Sequence, residues 1–264
     1  MSRLLGLLRR GTADAWRAID AEFPERGRPS WEVAIVLVVA AVALIIERYY
    51  GGAGGMRAPS YAKGLLSVIP YSSLRPRAYW AGFKLVTGFM IPAACIWLVI
   101  RGRLRDHGWT LRGEARGLRL AFILLAVVLP VIVAASYTTQ FQQTYPRYSG
   151  AGRSMNHLAL WFVAYGFQFL MLEFFFRGFL LFSLARHFGS SAIFITVVPY
   201  AMIHFGKPLA ETFGSIAAGI ALATLALRTR SIAGGVVIHC GAAFAMDLLG
   251  LAHSGRLSAL FRGG

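Results

Sequence analysis

The sequence is poor in the residues that build soluble enzymes. Only 14% of its 264 residues are charged, against about 25% in ordinary soluble domains. Acidic side chains are the scarcest, 11 against 27 Lys and Arg. There are two cysteines, Cys95 and Cys240, both inside apolar stretches, so neither a disulfide framework nor a zinc-type cysteine spacing is present. No His-Glu-x-x-His pattern and no close histidine pair occurs, which removes the usual helical zinc-protease signature. No internal repeat is apparent either, so the usual sequence pointer to an inverted-repeat transporter is missing.

What the chain has in abundance is apolar sequence: 57% of its residues are hydrophobic and mean hydropathy is +0.59. A span of the hydrocarbon core takes roughly 20 mostly apolar residues. The sequence therefore predicts an all-α, polytopic membrane helix bundle with about seven transmembrane helices, six to eight by the same criterion. The expected spans are 31–49, 78–100, 118–138, 157–184, 189–205, 212–228 and 232–251. Residues 31–264 form a single transmembrane domain on this reading. Residues 1–30 mix leucine clusters and arginines with Trp16 and Ile19, the pattern of an interfacial amphipathic segment. Its "LLGLL" run is shorter than a signal-peptide core of roughly 7 to 15 residues and has no small-residue cleavage site after it.

The Gly- and Pro-containing stretch 51–77 reads as a connection whose middle, "YAKGLLSVIPY", dips into the membrane. Pro92, Pro130 and Pro199 fall inside spans and are expected to kink them. The net charge of +16 comes mostly from arginines between the apolar runs, where they anchor helices to anionic headgroups. The expected partners are thus membrane lipids and not nucleic acid. The Lys and Arg distribution places the N-terminus on the cytoplasmic side.

Within the apolar runs a few ionisable residues stand out. "QFLMLEFFFRGFLLF" sets Glu173 and Arg177 four positions apart, on one helix face. His204, His239 and Asp247 follow in later spans, and Lys84 is the main one in the N-terminal half. Each costs about 2.5 to 3.5 kcal/mol at a helix centre, so such residues mark function by default. Counting at about 1.5 Å per residue from the connecting turns, Glu173 lies about 20 Å before the turn at 186–189 and His204 about 23 Å after it. His239 and Asp247 lie about 13 and 25 Å from the 228–231 turn. Singly, each has a packing role open to it. Together, a carboxylate beside imidazoles can deprotonate water while Arg177 orients the carboxylate, which is the chemistry of peptide hydrolysis. Glu173, His204 and His239 as zinc ligands are the other chemical reading.

Three of these stretches, "LEFFFRGFLLF", "YAMIHFGKP" and "GGVVIHCGAAFAMD", occur in that order on successive spans. They resemble the CAAX protease and bacteriocin-processing (CPBP, Abi) family of intramembrane, metal-independent glutamate proteases, related to the type II CAAX prenyl endopeptidases. The resemblance covers about residues 157–250. The family's pattern is Glu-Glu-x-x-x-Arg, then Phe-x-x-x-His, then His-x-x-x-Asn or Asp. Glu173 matches its second glutamate, Arg177 its arginine, Tyr200 its phenylalanine, and His204 and His239 its histidines. The resemblance implies a catalytic core at 157–250 in which a carboxylate and a histidine activate water, other polar groups stabilise the oxyanion, and no metal or other cofactor is needed. Two positions depart from the pattern: the first glutamate is Leu172 here, and the terminal Asn or Asp is Ala243. Asp247, one turn beyond Ala243, and Glu211, in the connection after His204, are the candidates to supply the lost polar groups.

The expected function is an intramembrane endopeptidase cleaving the terminal or membrane-associated segment of a protein or peptide, with Glu173 as base or its positioner, His204 as water partner and His239 with Asp247 near the oxyanion. The alternatives are an inactive relative that binds or escorts a membrane partner, and a proton-coupled transporter. A bacterial cytoplasmic membrane is the location the resemblance implies.

Overall fold

The computed structural model describes residues 13–22, 31–52, 58–110 and 114–262, and no strand occurs among them. After a short helix at 13–22 (α1) come α2 (Trp31–Tyr50), α3 (Ser72–Ile100), α4 (Glu114–Ser136), α5 (Thr139–Thr144) and α6 (Met155–Phe188). The chain ends with α7 (Ser191–Met202), α8 (Leu209–Thr229), α9 (Ala233–His253) and α10 (Arg256–Arg262). Six of these, α2, α3, α4, α6, α8 and α9, are long and apolar enough to cross a membrane. The protein is an integral membrane helix bundle.

The expected fifth span, 189–205, is shorter than hydropathy implied. Its helix α7 has 12 residues, a length of about 18 Å against a hydrocarbon core about 30 Å thick. The helix stops at Met202, three residues after Pro199. Gly206 then adopts φ 86°, a left-handed conformation that glycine takes without steric cost, and the chain reverses into α8.

The centre of the bundle is α6. Its aromatic stretch Phe174, Phe176, Phe179 and Phe182 is fully enclosed by Val36 of α2, Ile96 of α3, Ile193 and Tyr200 of α7, and Ala226 of α8. Helix α9 runs along α4 and α6, and α7 lies on α8. Two helices contain widened π turns, at Val86–Met90 and Ile96–Ile100 in α3 and at Phe174–Leu181 in α6. The first precedes Pro92, whose ring would otherwise clash with the carbonyl four residues back. That carbonyl belongs to Gly88, where an added Cβ would lie 2.9 Å from the Met171 carbonyl oxygen, so α3 and α6 approach backbone to backbone.

Of the N-terminal segment, 13–22 docks on the bundle. Ile19 is buried in the central cluster, Trp16 donates from Nε1 to Thr224 Oγ1 at 3.3 Å, and Asp20 Oδ1 accepts from the Ser190 amide at 2.8 Å. Residues 1–12 and 23–30 of the expected amphipathic segment lie outside the described residues. The 58–71 connection forms short 3-10 turns that leave Tyr61, Leu65 and Val68 exposed. Lys84 is neutralised by an ion pair with Glu47 of α2, whose other oxygen accepts from Thr87 Oγ1 at 3.2 Å.

Candidate active site

On α6, Trp161, Tyr165, Phe169, Glu173 and Arg177 recur every fourth position and so form one stripe. Glu173 closes the regular part of the helix, and the π turn begins at the next residue. Insertions of this kind are frequent at functional sites because they shift the phase of the side chains that follow.

Glu173 is completely buried. Its Oε1 lies 2.8 Å from His239 Nδ1 on α9. A carboxylate only accepts, so Nδ1 carries the proton, and the neutral imidazole then presents an unprotonated Nε2. That nitrogen faces the hydroxyl of Tyr200 on α7 at 3.3 Å. The Phe169 ring stacks on His239 at a centroid distance of 4.5 Å, fixing the imidazole plane. On the other side, Arg177 Nε is 3.6 Å from Glu173 Oε2, and its guanidinium carbon sits 4.0 Å from the centre of the Tyr200 ring. Glu173 Oε2 and both Arg177 Nη atoms are buried without a hydrogen-bond partner among the described residues.

His204 reaches the same tyrosine by a different atom. It lies in the turn after α7, buried, with Nδ1 2.8 Å from the Tyr200 carbonyl oxygen. A carbonyl cannot donate, so Nδ1 is protonated and Nε2 is a free acceptor in the neutral ring. The turn is held by Thr212 Oγ1 and the Lys207 amide, which donate to the His204 carbonyl at 3.0 and 3.1 Å. Tyr200 thus links both histidines. Helix α9 can come this close to Glu173 because residue 235 is glycine: a Cβ there would collide with Glu173 Oε2.

Four of the residues singled out in the sequence, Glu173, Arg177, His204 and His239, are therefore brought together around Tyr200. Asp247 is not, while Glu211 sits beside them, near enough for its charge to act on His204 and Tyr200. Asp247 is eight residues beyond His239, about 12 Å along α9. Its two oxygens accept from the Trp161 indole Nε1 at 2.6 Å and from the Arg147 amide at 2.8 Å, so it pins the 145–152 connection to α6. Glu211 accepts from Lys207 Nζ and from the Tyr145 hydroxyl, each at 2.7 Å. Burial, with the nearby carboxylate adding to it, pushes the Tyr145 phenol well above its usual range and keeps it a proton donor. Every oxygen of the two carboxylates thus has a hydrogen-bond partner outside the histidine pair.

Leu172 and Ala243, at the two departing motif positions, are packed in apolar clusters, Ala243 against the Trp161, Tyr165 and Phe169 stripe. As for the zinc reading, no group of three His, Cys, Asp or Glu among the described residues is arranged to hold a metal ion. Tyr200 is the residue that sequence reasoning passed over. It was matched to a phenylalanine, and only its position one turn before His204 could have drawn attention to it.

Residues 154–245, which hold all five of these side chains, match the family of type II CAAX prenyl endopeptidase Rce1-like proteins. No curated protein and no solved structure is significantly similar to the chain. The segment that builds the site is thus similar to the Rce1-like type II CAAX prenyl endopeptidases over about a third of the chain, in line with the resemblance carried by its three motifs.

Proposed function

We propose that this protein is an intramembrane endopeptidase that cleaves the terminal or membrane-associated segment of a protein or peptide. The observation that carries the reading is the hydrogen-bonded chain Glu173–His239–Tyr200, with His204 suspended from the same tyrosine. Glu173 orients His239 and stabilises the imidazolium formed when Nε2 takes a proton, the role a buried carboxylate plays beside a catalytic histidine. The free Nε2 of His204 is a second acceptor that holds the attacking water. Arg177 keeps the carboxylate facing α9. In this scheme Glu173 positions the base, and the apolar Leu172 is no obstacle.

Position-specific support for a bacterial cytoplasmic membrane with the N-terminus inside comes from the Lys and Arg distribution and the family resemblance; both are part of the proposal. Its partners are membrane lipids and a membrane-associated protein or peptide substrate.

The test is to map the termini of membrane proteins in cells carrying wild type, Glu173→Gln or His204→Ala. Both variants should accumulate the same uncleaved protein, with cleavage reduced about a hundredfold or more, as expected for losing an acid–base group. Unchanged cleavage in Glu173→Gln would sink the assignment. A second reading, an inactive relative that binds or escorts a membrane protein, is favoured by the burial of Leu172 and Ala243 in apolar clusters. It predicts identical termini in all strains while deletion retains a phenotype.

A further inference from the structure

The two motif departures remove polar groups, and the sequence offers Asp247 and Glu211 as replacements. Both are occupied elsewhere, Asp247 by Trp161 and Arg147, Glu211 by Lys207 and Tyr145. A polar group in direct hydrogen-bond contact with His239 is the hydroxyl of Tyr200, where the family pattern has phenylalanine. It is 98% buried and lies at a long hydrogen-bond distance, 3.3 Å, from His239 Nε2.

We infer that the Tyr200 hydroxyl is a catalytic residue of this site, the donor that stabilises the oxyanion. The inference rests on the endopeptidase reading and deepens it. The geometry sets up an exchange. In the resting site the hydroxyl donates to His239 Nε2 and holds that lone pair out of reach. When a substrate carbonyl arrives, the O–H turns to the carbonyl oxygen, and the same motion frees His239 Nε2 for the water. The water oxygen bonds to the carbonyl carbon, the carbonyl π pair moves onto oxygen under the Tyr200 hydrogen bond, and one water proton passes to His239. On collapse the C–N bond breaks, and that proton goes to the leaving amine. One water and one peptide bond are consumed, one carboxyl and one amine are formed, and the hydroxyl and both histidines return to their starting states. Arg177, with its charge centre 4.0 Å from the ring centre, holds the ring while only the O–H reorients.

Tyr200→Phe deletes one oxygen and keeps the ring against Arg177, Phe176 and His204, so it isolates the hydroxyl. With a peptide spanning the junction that the terminal mapping identifies, kcat should fall about 10²- to 10³-fold, the usual cost of one oxyanion donor, with KM nearly unchanged and thermal stability retained. A peptide aldehyde of the same sequence, whose hydrate is tetrahedral, should lose affinity by a similar factor while the uncleaved substrate does not. If Tyr200→Phe folds poorly, its folded fraction still decides, because the wild type must bind the aldehyde more tightly than that fraction does while the two bind substrate alike. Full kcat in Tyr200→Phe alongside loss in Glu173→Gln overturns the inference and leaves the endopeptidase standing. Full cleavage in Glu173→Gln, or no junction at all, overturns both.

Discussion

Glu173 and Arg177 stand 3.6 Å apart without satisfying each other, and the histidine three helices further along the chain takes the better of the two carboxylate bonds. The pair is therefore poised by its surroundings, above all by residue 235, where only hydrogen fits beside Glu173 Oε2. Gly235→Ala should force Glu173 or α9 aside, lower thermal stability by about 1 to 3 kcal/mol as overpacking does, and reduce cleavage to the level of Glu173→Gln. Thermal unfolding and the terminal map, measured on the same variant, check both parts. The charged members of this cluster were legible in the sequence because an ionisable residue in an apolar run declares itself. The Tyr200 hydroxyl was not, since tyrosine is unremarkable in a span and its partner lies 39 positions later, beyond the reach of local spacing.

At the scale of elements, α6 works as a ruler. Its every-fourth-residue stripe meets Asp247 at one end through Trp161 and His239 further along through Phe169 and Glu173, so α6 and α9 are registered at two levels. Asp247→Ala should leave the Trp161 and Arg147 N–H groups unsatisfied, at about 1 to 3 kcal/mol for each buried group. A lower melting temperature with kcat little changed is expected, the opposite signature to Tyr200→Phe. Hydropathy made six of the long helices readable to within a few residues. It misjudged α7 because Pro199 and Gly206 end a helix without making its sequence less apolar, and it is blind to π turns, which alter phase and not composition.

For the whole molecule, the connection after α3 is tied to the α6 core: Trp109 contacts Phe174 edge-on, and the Ile232 amide donates to the Gly108 carbonyl at 3.1 Å. His107 in that connection is fully enclosed and donates from Nδ1 to the Arg103 carbonyl at 3.2 Å. Burial, aided by Arg186 and Arg230 and opposed by the Arg103 carbonyl and Asp106, pushes it down from 6.5 to about 4. A group depressed in this way is neutral in the folded protein over a range where the unfolded chain binds a proton. Stability is thus full above about pH 6.5 and is lost as pH falls toward 4, by at most about 1.4 kcal/mol per pH unit. The melting temperature of the solubilised protein should decline across that window, and His107→Gln should flatten the decline.

The shortness of α7 has a consequence for the surrounding lipid. Its last turn and the start of α8 expose Met202, Phe205, Leu209 and Phe213 immediately beside His204, on a helix only about 18 Å long. Hydrophobic mismatch of this size is met by local thinning of the bilayer, which draws headgroups and water down toward the histidines on that side alone. On the proposed endopeptidase reading the His204 turn is then reached through a dimple in the membrane, and acyl-chain length becomes a control on cleavage: reconstitution in progressively longer-chain lipids should slow it while leaving Glu173 and its partners in place.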